Sequence, residues 1–559
     1  MKRGLALLIL LFAIGLLHPH KLPASNTSFT VDTLTNLIDA SAAPFNQVQP
    51  GDTILFEHGK RDFILIRNFK GTAENPIVFK NKNGLVIIDT DHYFGISIQN
   101  CRFIRLTGTG DEANFYGFRI TRVLNGAGIG VNDMSSDFEI DHVSIENTAI
   151  GGIYAKTDPD CSFASTRGNF TQFNTVIHDN YLANTGDEGM YIGSTKYFGQ
   201  TVKCNGKDTL LLPALLDGVR IYNNIIKYTG WDGIQVSSAS ADCQVYDNLV
   251  MYDSQDEHFG QMAGIMLGGG SKCNCYNNYI SNGKGSGIES HGLGGYRIFN
   301  NVIVEAGRSY HPLDTSMMKY GIYVTDISVQ ADSSFTIMHN DIINPKSDGI
   351  RFISVSSKNN LIASNVIINP GTYDYYNHLN TSFTGEDSYV MIPYGTSKVL
   401  ITNNYFSRSA DNAGFSETNF TLMENSPLID AGYPDTRGIE FDGYHNPRIY
   451  AKAPDIGIYE FNPTYLNSSP DINLKANSFV FPNPVKTLLA IRFHCKSEKL
   501  VILKIYNTKG KMVISGNHVN NQKEEQEINV NVDDLPAGIY IYQLSAEKQI
   551  VTGKFIKVN

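Results

Sequence analysis

The chain has 559 residues, and 45 Lys and Arg against 55 Asp and Glu give a formal net charge of -10, which excludes a nucleic-acid-coating protein. Hydrophobic residues make up 42% and charged residues 18%, so a large core can form and disorder of the whole chain is excluded. With 52 Asn, 50 Gly, 30 Tyr and 30 Phe the composition favours a turn-rich β protein and excludes an all-helical one.

Residues 1–24 read as a secretory signal peptide. Lys2 and Arg3 precede an apolar run from Leu5 to Leu17, short of the roughly 20 residues of a membrane span. Cleavage is expected after Ala24, although Leu22 departs from the small residue usual at that position. No later stretch is apolar enough to cross a bilayer, so the mature chain is not expected to be integral to a membrane.

Residues 25–461 form one unit. From about residue 90 to 410 a pattern recurs: a short strand ending in Asn, a second apolar alternation, then a Gly-Ile strand. The aligned Asn are Asn180, Asn224, Asn248, Asn278, Asn301, Asn340, Asn365 and Asn404, at spacings of 44, 24, 30, 23, 39, 25 and 39. The short spacings give the period, and the long ones are the same unit carrying an inserted loop. The unit has no helical apolar period and reads as three short strands joined by turns. Such a unit buries its apolar face only by stacking in parallel on the next, which predicts a parallel β-helix. Each recurring Asn is expected to hydrogen-bond the same Asn in the coils above and below, and to accept the left-handed turn at its corner.

Seven Cys (101, 161, 204, 243, 273, 275 and 495) leave at least one unpaired within the chain. Cys161 and Cys204 lie in two long polar inserts and suit a bridge in an oxidising compartment. Cys243 and Cys273 each precede a recurring Asn by five residues, which stacks them within disulfide reach; two buried free thiols fit equally.

The segments PGDTILFEHG (50–59) and FKGTAENPIVFKNKNGLVII (69–88), with NSPLIDAGYPDTRGIEFDGYHNPRIYAKAPDIGIYEF (425–461), carry a resemblance. Over roughly residues 30–461 the chain resembles the pectate-lyase-like superfamily of right-handed β-helix proteins, which implies an N-terminal cap followed by stacked coils. That fold carries lyases, hydrolases, esterases and adhesins, so the resemblance leaves the chemistry open.

Candidate site residues follow from strand alternation. Placing the Ile of each Gly-Ile strand inward turns the next residue outward. That set is Tyr191, Gln235, Met266, Glu289, Tyr323 and Arg351, with His291 one outward step beyond Glu289. This polar and aromatic column suits sugar binding, with Tyr191 and Gln235 as substrate contacts. A polysaccharide lyase must neutralise a uronate carboxylate and remove the adjacent proton. Arg351 would neutralise, His291 or Tyr323 would act as base or acid, and Lys319 is a second choice. Asp187, Glu188 and Asp232 precede two of the Gly strands and offer hard oxygen ligands for Ca2+. A glycoside hydrolase instead needs two carboxylates, Glu289 with Asp232 or Asp348. The inserts at 155–175, 194–217, 252–262, 306–319 and 371–392 would wall the site, and the Tyr-rich 372–379 would stack on sugar rings. His258 and His311 read as loop residues.

Residues 462–478 are rich in Asn, Pro and Ser and read as a linker. Residues 479–559 are alternating strands with Gly turns, which predict a small β-sandwich. Pro482-Asn483-Pro484, the Tyr506 to Gly510 strand-turn, Leu535-Pro536-Ala537-Gly538-Ile539-Tyr540 and the basic end Lys554 to Lys557 resemble the sorting domain of type IX secretion cargo. The resemblance implies a Gram-negative source and passage across the outer membrane through that machinery. Release or attachment to surface lipopolysaccharide would follow. The expectation is a monomeric, secreted or surface-attached protein that cleaves a uronate-containing polysaccharide as a lyase. A glycoside hydrolase and a non-catalytic glycan-binding adhesin are the alternatives.

Overall fold

The computed structural model describes residues 27–558 apart from 112–113, 311–317, 372–388, 394–397, 416–419, 462–477, 482, 484, 495–499, 520–524 and 547–548. The signal peptide, His311, the Tyr-rich 372–379, Pro482, Pro484 and Cys495 therefore lie outside the described residues, as does nearly all of the linker.

The body coils from residue 28 onward. Twelve short strands, from Leu37–Asp39 to Val390–Met391, pair in one parallel sheet; the other strands of each coil join a 24-stranded sheet. The inward residues explain the stacking. Ile234, Ile265, Ile288, Ile322 and Ile350 stand in register on successive coils, and all are fully buried. No single coil could hide these side chains, so burial in a shared core drives the coils together. The antiparallel hairpin Gln200–Cys204 with Lys207–Leu211 is an insert that leaves the solenoid.

The Asn file is continuous. Nδ2 of each Asn donates to Oδ1 of the next, from Asn180 to Asn404, at 2.9 to 3.1 Å. The backbone N–H donates to the same oxygen, and a second Nδ2 bond goes to a carbonyl of the preceding coil. One expectation needs correction: these Asn do not take the left-handed conformation. The residue before each one does, namely Asp179, Asn223, Asp247, Asn277, Asn300, His339, Ser364 and Asn403. The turn is made one position earlier, which frees the amide to point along the core.

Disulfides join Cys161 to Cys204 and Cys243 to Cys273, while Cys101 and Cys275 are buried free thiols. The second bridge links adjacent strands at the register that the Asn spacing required.

The tail is a sandwich of three antiparallel strands (Ser478–Phe481, Leu488–His494, Glu525–Asn531) on four (Met512–Val519, Leu500–Asn507, Gly538–Ala546, Gln549–Lys557). Leu489, Ile491, Ile505, Tyr542 and Phe555 fill its core. It packs against the body: Tyr506, Ile539 and Ile541 bury a patch of Phe115, Tyr116, Ile225 and Leu249. A chain ending at residue 461 is therefore expected to expose that patch, bind the dye ANS and melt several degrees lower. Unchanged dye binding and melting would show that the contact contributes nothing.

Candidate functional site

Parallel pairing of the short strands builds the outward column. Tyr154, Tyr191, Gln235, Met266, Glu289, Tyr323, Arg351 and Met391 stand in register on eight successive strands. Neighbouring rungs are about 4.8 Å apart. Residues more than a hundred positions apart thereby share one face. Exposure along it is uneven: Glu289, Tyr323 and Arg351 are partly exposed, whereas Gln235 and Met266 are 3% exposed each. Gln235, expected to touch substrate, is covered, and its Oε1 has no hydrogen-bond partner among the described residues. Tyr191 keeps its place on the face, its hydroxyl 2.9 Å from Thr195 Oγ1 and its ring under Lys156 Nζ at 5.0 Å.

Glu289 and His291 form a couple. His291 Nε2 is 3.3 Å from Glu289 Oε2, and its Nδ1 is 2.7 Å from Thr325 Oγ1. Burial pushes the Glu289 carboxyl up, but the His291 bond and the Lys319 charge outweigh it and hold it below its ordinary value. Glu289 is therefore a carboxylate that orients the imidazole. The His291 ring meets Tyr323 edge-on at 6.2 Å. Tyr323 packs on Tyr320 at 4.9 Å, and the Arg351 guanidinium lies over Tyr320 at 5.3 Å. Arg351 also bonds Asp348 at 2.9 Å. Burial works against its charge, but Tyr320 and Asp348 prevail and hold the cation firmly. Lys319 is 9% exposed, at the edge of this group.

Two of the acids expected to serve catalysis do not reach the face. Asp232 is 0% exposed; its Oδ1 accepts the Ala263 N–H at 2.7 Å, and its Oδ2 has no partner among the described residues. Burial, reinforced by the Glu188 and Glu289 charges, raises its carboxyl well above the usual range. It is a buried corner residue and not a group of the outward face. Asp348 is also 0% exposed and serves as the partner of Arg351.

The expected Ca2+ ligands do not gather. Asp187 and Glu188 share the Tyr154 hydroxyl at 3.2 and 2.8 Å, and burial raises both carboxyls. Among the described residues only Glu139, Asp141 and His178 bring three ligand atoms within 4.8 Å of one another. Asp187, Glu188 and Asp232 thus do not fit a single hard-cation site. Trp231, the one Trp of the sequence, stacks on His258 at 4.0 Å, which makes His258 a packing residue of its loop.

Tyr154, Tyr320 and Thr325 were not singled out from sequence. Tyr154 was accessible to the same rule, since Gly152-Ile153-Tyr154 repeats the Gly-Ile pattern one coil earlier. Thr325 and Tyr320 lie outside that rule and declare themselves only through contacts.

Residues 214–383 match the family described as right handed beta helix region, and residues 479–558 the secretion system C-terminal sorting domain. The body is a right-handed β-helix, and the tail is a secretion sorting domain. Solved structures similar to the chain include an alginate lyase from Paenibacillus sp. str. FPU-7, at 15% identity over 56% of this chain and 94% of that one, with TM-score 0.35. Pectate lyase Pel9A is similar at 14% identity over 79% and 98%, with TM-score 0.38. The GH136 lacto-N-biosidase from Eubacterium ramulus is similar at 12% identity over 68% of each chain, with TM-score 0.39. The likeness is one of fold alone. No curated protein matches the chain.

The sorting domain meets the β-helix beside the Glu139, Asp141 and His178 cluster. Thr552 Oγ1 donates to Asp179 Oδ1 at 3.0 Å, and Lys554 Nζ donates to the Asp247 carbonyl. Within the cluster Arg105 Nε lies 2.8 Å from Asp141 and 3.2 Å from Glu139. A resident cation side chain already fills that space. Burial disfavours the charged form of His178, yet its bonds to Asp179 and Glu139 prevail and push it up to about 10. A folded pKa above the unfolded value of about 6.5 gives stability that is complete below pH 6.5 and lost as pH rises towards 10. Melting temperature is expected to fall over that alkaline window, and His178→Gln to flatten the fall. An equal fall in the variant would exclude this network as its source.

Proposed function

We propose that this protein is a polysaccharide lyase acting on a uronate-containing polysaccharide outside the cell. The observation that carries the reading is the exposure pattern of one column. Glu289, Tyr323 and Arg351, with His291, are partly exposed on three consecutive strands, while Asp232 and Asp348, the second acid a hydrolase would need, are at 0%. A firmly charged Arg351 suits pairing with a substrate carboxylate, which acidifies the neighbouring C–H. Tyr323, next along the column and acting as its phenolate, would take that proton as the double bond forms and the glycosidic C–O bond breaks. His291, held between Glu289 and Thr325, would protonate the departing oxygen.

The sorting domain supports export by the type IX system, with the cargo released or attached at the outer surface. Fractionation of cells carrying a chain without residues 479–559 tests the route, with loss of extracellular protein as the expected result.

Incubation with a panel of uronate polymers tests the chemistry. Rising ultraviolet absorbance from unsaturated ends is expected. New reducing ends without that absorbance would mean hydrolysis, and retained glycan binding without cleavage would mean an adhesin.

A further inference from the structure

The same face opens a second time towards the N-terminus, beyond the covered rungs of Gln235 and Met266. A cavity of about 500 Å³ opens beside Gly130, Tyr154 and Lys156, and its far wall is the loop 157–165. Gly130 pairs with Tyr154, so the cavity shares the column of Glu289. Tyr154 precedes Glu289 by four strand steps, about 19 Å. An oligosaccharide spans that distance and a disaccharide does not.

The cavity is built. A Cβ on Gly130 would meet nothing within 4 Å, which leaves the floor open. The wall loop is fastened to the neighbouring hairpin by the Cys161–Cys204 disulfide. Arg167 reinforces the joint: its Nη2 donates to the Tyr197 carbonyl at 2.6 Å and its guanidinium lies over that ring at 4.4 Å. Ser165 Oγ closes the loop on the Asp158 carbonyl at 3.2 Å.

Its charge differs from that of the Arg351 end. Asp133, Asp158 and Asp160 line it with Lys156 as the one cation among the described lining residues. Lys156 is already engaged by Asp158 at 3.0 Å. A uronate would meet net repulsion here, whereas a neutral sugar would offer hydroxyls to the carboxylates and an apolar face to Tyr154. We propose that this cavity is a distal subsite for a neutral sugar. The substrate is then a heteropolysaccharide in which uronates sit among neutral residues. This rests on the polysaccharide-cleaving reading of the groove.

Affinity electrophoresis of the full mature chain tests it without requiring turnover. Four probes are embedded in the gel: alginate and polygalacturonate, in which every sugar is a uronate, and hyaluronan and glucuronoxylan, in which uronates sit among neutral sugars. Tyr323→Phe is present throughout to suppress cleavage. Stronger retardation by a mixed polymer is expected, weakened at least five-fold by Gly130→Trp, which fills the cavity. Opening the staple with Cys161→Ser and Cys204→Ser should weaken it too, with the melting profile of each variant confirming a folded body. Equal retardation with and without Gly130→Trp, a preference for pure uronates, or no retardation by any probe would overturn the proposal. Because binding alone is read, a failure of the lyase reading appears separately, as absence of unsaturated ends from the chain without Tyr323→Phe.

Discussion

Replacing Arg351 with Ala is expected to lower kcat/KM on a uronate polymer by about 10²- to 10⁴-fold, the range for losing a charge that meets the reacting centre. The side chain bonds Asp348 at 2.9 Å and covers the Tyr320 ring, so truncation also removes a cation from beside a buried carboxylate. That structural cost is separated from the chemical one by the pair Arg351→Ala with Asp348→Asn, which removes the uncompensated charge. If the double variant regains melting temperature but not rate, the guanidinium acts on substrate. If rate returns with stability, Arg351 is only a structural ion pair, and the assignment fails. Tyr323→Phe is expected to lower kcat with little change in KM, because the hydroxyl is asked to move a proton and not to bind. Initial rates of ultraviolet absorbance measure both.

Asn278→Ala is expected to destabilise the centre of the solenoid by about 3 kcal/mol, the scale for leaving buried hydrogen-bonding groups unmatched. Asn278 is 1% exposed. Its Oδ1 accepts from both the N–H and the Nδ2 of Asn248, and its own Nδ2 serves the Val245 carbonyl and Asn301 Oδ1. Ala removes every one of these at once. A stacked array need not unfold in one step, so hydrogen exchange is the proper readout. Faster exchange is expected in Ala239–Tyr246 and Cys273–Tyr276, with coils near residue 60 unchanged. Uniform protection across the body would contradict a local role for the file.

The contrast between these two residues shows what a sequence can carry. Asn278 was legible because its reason for being Asn recurs every coil, so the pattern and the physics have one period. The column of outward residues was legible for the same cause, since pairing of identical strands fixes which positions align. Arg351 was visible as a position but not as a partner of Asp348 and Tyr320, because those contacts depend on how one corner closes. Asp232 illustrates the converse. Its place before a Gly strand put it near the groove in sequence, yet the corner turns the side chain under Ala263, a geometry that no spacing records. The three acids named as Ca2+ ligands do not gather for the same reason: the two that neighbour in the chain share one tyrosine hydroxyl.

The amide file also has a consequence for how such a molecule changes over generations. Each rung needs only the rung beside it, and as few as 23 residues, from Asn278 to Asn301, complete a floor of the tower. Duplicating or excising a whole storey would lengthen or shorten the reach between Arg351 and the Gly130 chamber by one fixed increment, with every other storey left intact. The spacing between those two places is thus an inheritable integer, set by copy number and not by redesign of any pocket.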